Sequence, residues 1–106
     1  MPKYLIEATY TTEGVRGLLK EGGTKRRAAV EAAVKAVGGT LESFYFGFGS
    51  TDAYALVGGV DASAAAAVGL AVGASGAVHT KTTVLLTPEE IDKACQTTIA
   101  YRAPGA

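Results

Sequence analysis

Residues 40–60 read TLESFYFGFGSTDAYALVGGV. Two runs rich in aromatic and β-branched residues, 40–48 and 53–60, flank Gly49-Ser50-Thr51-Asp52. Glycine, serine and aspartate bend the chain readily, so this segment has turn chemistry. The two runs therefore form a hairpin. Strand side chains alternate between faces, which puts Phe44, Phe46 and Phe48 on one face. Leu41, Ser43, Tyr45 and Gly47 fall on the other.

A helical pattern lies on each side of the hairpin. Upstream, Ala29, Val30, Ala33, Val34 and Val37 recur at helical spacing over residues 25–37. Thr24 is placed to cap that run, and Gly38-Gly39 ends it. A shorter piece, roughly 13–20, precedes it, capped by Thr11 or Thr12, with Gly22-Gly23 between the two. Downstream, Asp61 or Ser63 caps an alanine-rich helix that Gly76 stops. Beyond each helical region comes one more strand pattern, KYLIEATY at 3–10 and AVHTKTTVLL at 77–86. Thr87-Pro88-Glu89-Glu90 then opens a last short helix, with proline and acids in its first turn.

The order is β-α-β-β-α-β plus a terminal helix, the split βαβ or ferredoxin-like pattern of the α+β class. Right-handed crossovers give one antiparallel sheet of order 4-1-3-2, with both helices on one face. Both faces of the strands carry apolar residues, while the helices cover only one. An uncovered apolar face usually marks an interface. A homodimer, or a higher oligomer, packed sheet to sheet is the expectation.

Composition narrows the function classes. Ten Lys+Arg balance ten Asp+Glu in 106 residues. This zero net charge lacks the basic excess of a nucleic-acid binder. The length allows one domain with one core. Ala62 to Val78 is apolar but only 17 residues long, and alanine and glycine contribute little transfer energy. It reads as a buried helix rather than a membrane span. No apolar signal segment precedes the first strand, so the expected location is the cytoplasm. Cys95 stands alone, which excludes an intrachain disulfide and a cysteine-only metal site. His79 is the single histidine, against a histidine-rich metal site.

The chain resembles the small bacterial GYD-domain proteins, part of the dimeric α/β-barrel group of ferredoxin-like folds. The matching pieces are Tyr10-Thr11-Thr12-Glu13-Gly14, the Arg26–Ala36 helix with Gly38-Gly39, and Ser43-Phe44-Tyr45. Phe48-Gly49 with Asp52, the alanine-rich 64–76 helix, and Thr80-Lys81-Thr82 before Thr87-Pro88-Glu89-Glu90 complete them. The resemblance covers residues 1–92 as one domain and leaves 93–106 as helix end and tail. The signature Gly-x-Tyr-Asp appears as Gly49-Ser50-Thr51-Asp52, with Thr51 in the tyrosine's place, and His79 replaces a usual arginine. The family implies no common activity. Relatives with the same dimeric barrel include cofactor-independent monooxygenases, decyclases and dehydratases acting on hydrophobic ring compounds, an analogy at the level of fold.

The topology gathers Tyr10, Thr12, Glu13, Ser50, Asp52, Tyr54 and His79 at one end of the sheet. A pocket between the sheet and the first helix is expected to open there. His79, the side chain that titrates nearest neutrality, reads as a general base oriented by Asp52 or Glu13, or as a surface histidine at a strand end. Asp52 reads equally as a turn-capping aspartate. Tyr10, Tyr45 and Tyr54 read as hydrogen-bond donors to a ligand or as packing residues. Arg16, Lys20, Lys25, Arg26 and Arg27 form a basic run that holds an anion or serves as a solvated helix face. Three readings follow. One is a homodimer binding a small hydrophobic molecule, with turnover that needs no metal or flavin cofactor. The second is a non-catalytic assembly or regulatory subunit. The third is that the basic helix break binds an anionic ligand.

Overall fold

The computed structural model describes residues 2–106. Its elements are β1 (Lys3–Tyr10), α1 (Thr12–Ala36), β2 (Thr40–Phe46), β3 (Ala53–Gly58), α2 (Ala62–Ala74), β4 (Val78–Leu85) and α3 (Pro88–Gln96). The four strands form one antiparallel sheet of order β2-β3-β1-β4, the expected ferredoxin-like arrangement. Both α1 and α2 lie on the face that carries Tyr4, Ile6, Ala8 and Tyr10. Among the described residues, no helix is long and apolar enough to cross a membrane.

Local chemistry sets the helix limits. Thr11 caps α1 by accepting from the Gly14 backbone N–H at 3.2 Å. Asp61 caps α2 by accepting from Ala64 N at 2.8 Å. The expected break in α1 is a kink at Gly22, whose φ of 82° suits a residue without Cβ. Thr24 lies inside the helical run after that kink rather than capping it. Thr87 and Glu90 make a reciprocal capping box at α3. The Thr87 backbone N–H donates to Glu90 at 3.0 Å and holds that carboxyl below its ordinary pKa.

One strand departs from simple alternation. A bulge falls between Leu41 and Ser43 of β2. The extra residue shifts the face count by one. Leu41 therefore joins Phe44 and Phe46 on the helix-covered side, where it is buried against Val57 and Val34. The alternation expectation had placed Leu41 with Tyr45. Phe48 lies beyond the end of β2 and projects into solvent.

The core is small and aliphatic. Val34, Val57 and Val60 are its fully buried side chains, joined by Tyr4, Ile6, Leu41, Ala55 and Ala65. Helix α3 and the tail contribute nothing to it: no α3 residue is buried. The radius of gyration is accordingly 16.9 Å, against about 13 Å for a compact chain of 100 residues. The terminal helix projects from the body.

Candidate functional site

Three small residues thin the centre of the sheet. Ala8 pairs with Ala53 and Ile6 with Ala55, while Thr80 flanks Ala8 from β4. Helix α1 packs mainly on β2 and α2 mainly on β4. The sheet centre is left under the gap between them. Methyl-sized side chains do not fill that gap, and a cavity of about 40 Å³ remains. Val30 and Val34 of α1, Val68 and Val72 of α2, and Phe44 wall it. One water needs roughly 10–15 Å³ and several polar partners. This lining is almost wholly apolar, so the space suits carbon rather than water.

Tyr10 and Arg26 stand at its mouth. The kink at Gly22 redirects α1, and the Phe46 ring comes so close to Gly23 that a Cβ there would meet it at 3.0 Å. One turn further on, the Arg26 guanidinium lies 5.9 Å from the Tyr10 ring centroid, within cation–π range. Tyr10 also borders two solvent-open clefts. One, of about 150 Å³, is shared with Glu13, Leu18, Glu21 and Arg26. The other, of about 280 Å³, is shared with Val15, Leu18, Phe46, Phe48 and Asp52. Val15, Phe46 and Phe48 are all exposed.

The residues singled out in the sequence gather at one end of the sheet but divide between its faces. Tyr10 is at the cavity mouth and Glu13 on the rim of the adjoining cleft. His79 pairs with Thr9 and is exposed on the opposite, open face. Tyr45 and Tyr54 are paired in register on that same open face, 71% and 38% exposed. His79 borders a shallow cleft there with Glu7, Ser50 and Thr51. Thr51 donates to Glu7 Oε1 at 3.2 Å. The two positions at which the chain departs from the GYD pattern thus line one cleft.

Asp52 has a visible structural task. Its Oδ2 accepts from Tyr10 N at 2.9 Å, its own N–H donates to Ala8 O at 2.9 Å, and its carbonyl accepts from Gly47 N at 2.8 Å. It fastens the β2–β3 turn to the end of β1. Asp52→Ala is expected to lower stability by about 1.5–3 kcal/mol, the usual worth of a hydrogen bond to a charged group. Asp52→Asn, which keeps an acceptor oxygen, recovers part of that loss. Urea unfolding of the two variants measures the difference.

The sequence offers Arg26 only as one of a basic run able to hold an anion, and its place at the cavity is not read from it. A signal was present: Arg26, Val30 and Val34 recur every four residues and so share one helix face. Phe44 and Phe46 were read as strand residues without a cavity. Among the described residues, no group of three or more metal-ligating side chains gathers.

Comparison with known proteins agrees with the fold. The family model described as GYD domain matches residues 4–95. Neither the curated proteins nor the solved structures give a match. The family match spans β1 through nearly all of α3, including the cavity and both faces of the sheet. The chain belongs to the GYD-domain family.

Proposed function

We propose that the protein is a homodimer that binds a small hydrophobic molecule between its helices and its sheet. The observation that carries this reading is the alanine floor. Ala8, Ala53 and Ala55 lie at the centre of the sheet, where larger aliphatic residues would close the core. Apolar pockets with few polar groups at the mouth are the usual form of small-molecule sites. Here the polar groups are Tyr10, Arg26 and Thr80. The open clefts beside Tyr10 provide room for a ligand longer than the cavity itself. His79 and the cavity lie on opposite faces of the sheet, so the geometry supports binding more directly than turnover.

Two features support self-association. The open sheet face presents Tyr45 and Tyr54 exposed and Leu5 and Leu56 only half-buried. Helix α3 is nine residues long, exposed throughout, and carries Ile91 outward. A helix this short is marginal in water without packing. A second copy laid on the open face would give both features a partner. The alternative, a purely structural assembly subunit, keeps this dimer and dispenses with the ligand.

Ala55→Leu separates these readings. The added carbons occupy the cavity, and the overpacking costs no more than about 1–3 kcal/mol. Octan-1-ol serves as the probe, with binding followed through the NMR methyl signals of Ala8 and Ala53. The expected result is saturable binding to the unsubstituted protein and at least a tenfold loss in the folded variant. Absence of binding to both would discard the ligand and leave the assembly role.

A further inference from the structure

We infer that the ligand of this cavity carries a carboxylate and that Arg26 receives it. This inference rests on the ligand-binding reading above and adds the chemical class. Its basis is an unfilled bonding capacity. Arg26 Nε is buried and has no hydrogen-bond partner, the single such side-chain atom among the described residues. Buried donors in folded proteins are nearly always paired, and an orphan calls for an explanation. Arginine cannot shed its proton to escape the cost.

Among the described residues, no carboxylate is paired with the Arg26 guanidinium, although Glu13 and Glu21 line a cleft that Arg26 also borders. Arg26 lies over the Tyr10 ring at 5.9 Å, where the ring face attracts a cation but accepts no in-plane N–H bond. Among the described residues, the ion pairs are Lys3–Glu42 and Arg27–Glu31, and neither involves Arg26. The neighbouring Arg27 is neutralised by its own helix partner, whereas Arg26 is left at a cavity mouth.

The chemistry selects a carboxylate over other anions. Guanidinium presents parallel N–H bonds that match the two oxygens of a carboxylate. One fixed positive charge in an apolar setting is balanced by one negative charge, and a dianion such as a phosphate ester would leave excess charge out of water. The ligand is therefore a monoanionic amphiphile. Its carboxylate lies at Arg26 and Tyr10, and its apolar end reaches between Val30, Val72 and the alanine floor.

The test compares octanoate with octan-1-ol, equal in chain length and different in head group. NMR shifts of the Ala8 and Ala53 methyls report cavity occupancy by both. The expected result is that octanoate binds at least tenfold more tightly than octan-1-ol, and that Arg26→Gln abolishes this preference. An unchanged far-ultraviolet circular dichroism spectrum shows that the variant is folded. Equal affinity of acid and alcohol for the unsubstituted protein would overturn the carboxylate inference and leave the cavity reading standing. An acid preference that survives in Arg26→Gln would overturn the role of Arg26. Binding of neither probe would overturn the cavity reading, and this inference with it.

Discussion

Gly14→Ala is expected to lower the unfolding free energy by about 2–4 kcal/mol, the range for a side chain forced into packed space. Gly17→Ala, one turn further along the same helix, is expected to raise it by about 0.5–1 kcal/mol. The contrast comes from what each new methyl meets. At Gly14 a Cβ would collide with the Ala77 carbonyl oxygen and lie 3.1 Å from the Tyr10 ring. That carbonyl cannot give way freely, because it accepts from Thr11 N at 3.0 Å and from Thr11 Oγ1 at 3.2 Å. These bonds join the start of α1 to the start of β4. Moving the helix to admit the methyl breaks them and disturbs the Thr11 cap. At Gly17 no atom lies within 4 Å of the built Cβ, so the substitution removes only backbone entropy from the unfolded chain. At about 4–8 °C per kcal/mol for a domain of this size, the two melting temperatures move by about ten degrees or more downward and a few degrees upward. Thermal unfolding followed by circular dichroism measures both. Equal shifts in the two variants would contradict the close helix–sheet contact at Gly14.

The contrast at Gly14 and Gly17 also shows where the sequence stops being informative. Both are helix glycines with similar neighbours, and only the docking of α1 on Ala77 tells them apart. Features written in local chemistry were legible: Thr11, Asp61 and Thr87 cap their helices, and Gly22 marks the break in α1. Strand order followed from connection rules. The bulge at β2 was not legible, because Glu42 carries no signal of an extra residue and period-two alternation was assumed throughout. The isolation of α3 was not legible either. Its capping box and proline specify a helix, but nothing local specifies what that helix packs against.

The site was half legible for a related reason. Topology correctly brought Tyr10, Asp52 and His79 to one end of the sheet. Parity then separates them. Tyr10 belongs to the even-numbered set of β1 that faces the helices, while His79 pairs with Thr9 of the odd-numbered set. The same parity explains why Tyr54, opposite Glu7, cannot reach the cavity that Ala53 and Ala55 floor. Arg26 was hidden by its charge. A basic run reads as a solvated face or an anion site as a whole, and only the spacing of Arg26 to Val30 and Val34 singles it out as lying on the apolar side.

Leu56→Lys is expected to leave a folded monomer in place of the proposed dimer. Leu56 pairs with Leu5 of β1 and with Ser43 of β2 at the middle of the open face, beside the Tyr45–Tyr54 pair. In an isolated protomer this position is only partly covered, so a lysine extends into water and leaves the core untouched. In a sheet-to-sheet dimer the consequence is larger. The interface of a two-fold dimer uses the same patch twice, so each substitution places two ammonium groups at the contact. Burying an unpaired charge costs several kcal/mol per group even after relaxation. With each 1.4 kcal/mol worth about a factor of ten, dimer affinity falls by about a thousandfold or more. Sedimentation velocity at micromolar concentration is expected to show a dimer before substitution and a monomer after it, with helical circular dichroism retained apart from the contribution of α3. A monomer in both samples would remove the dimer. A dimer in both would move its interface from the open face to the exposed α3 and tail, where Ile91, Ile99 and Tyr101 supply the apolar surface.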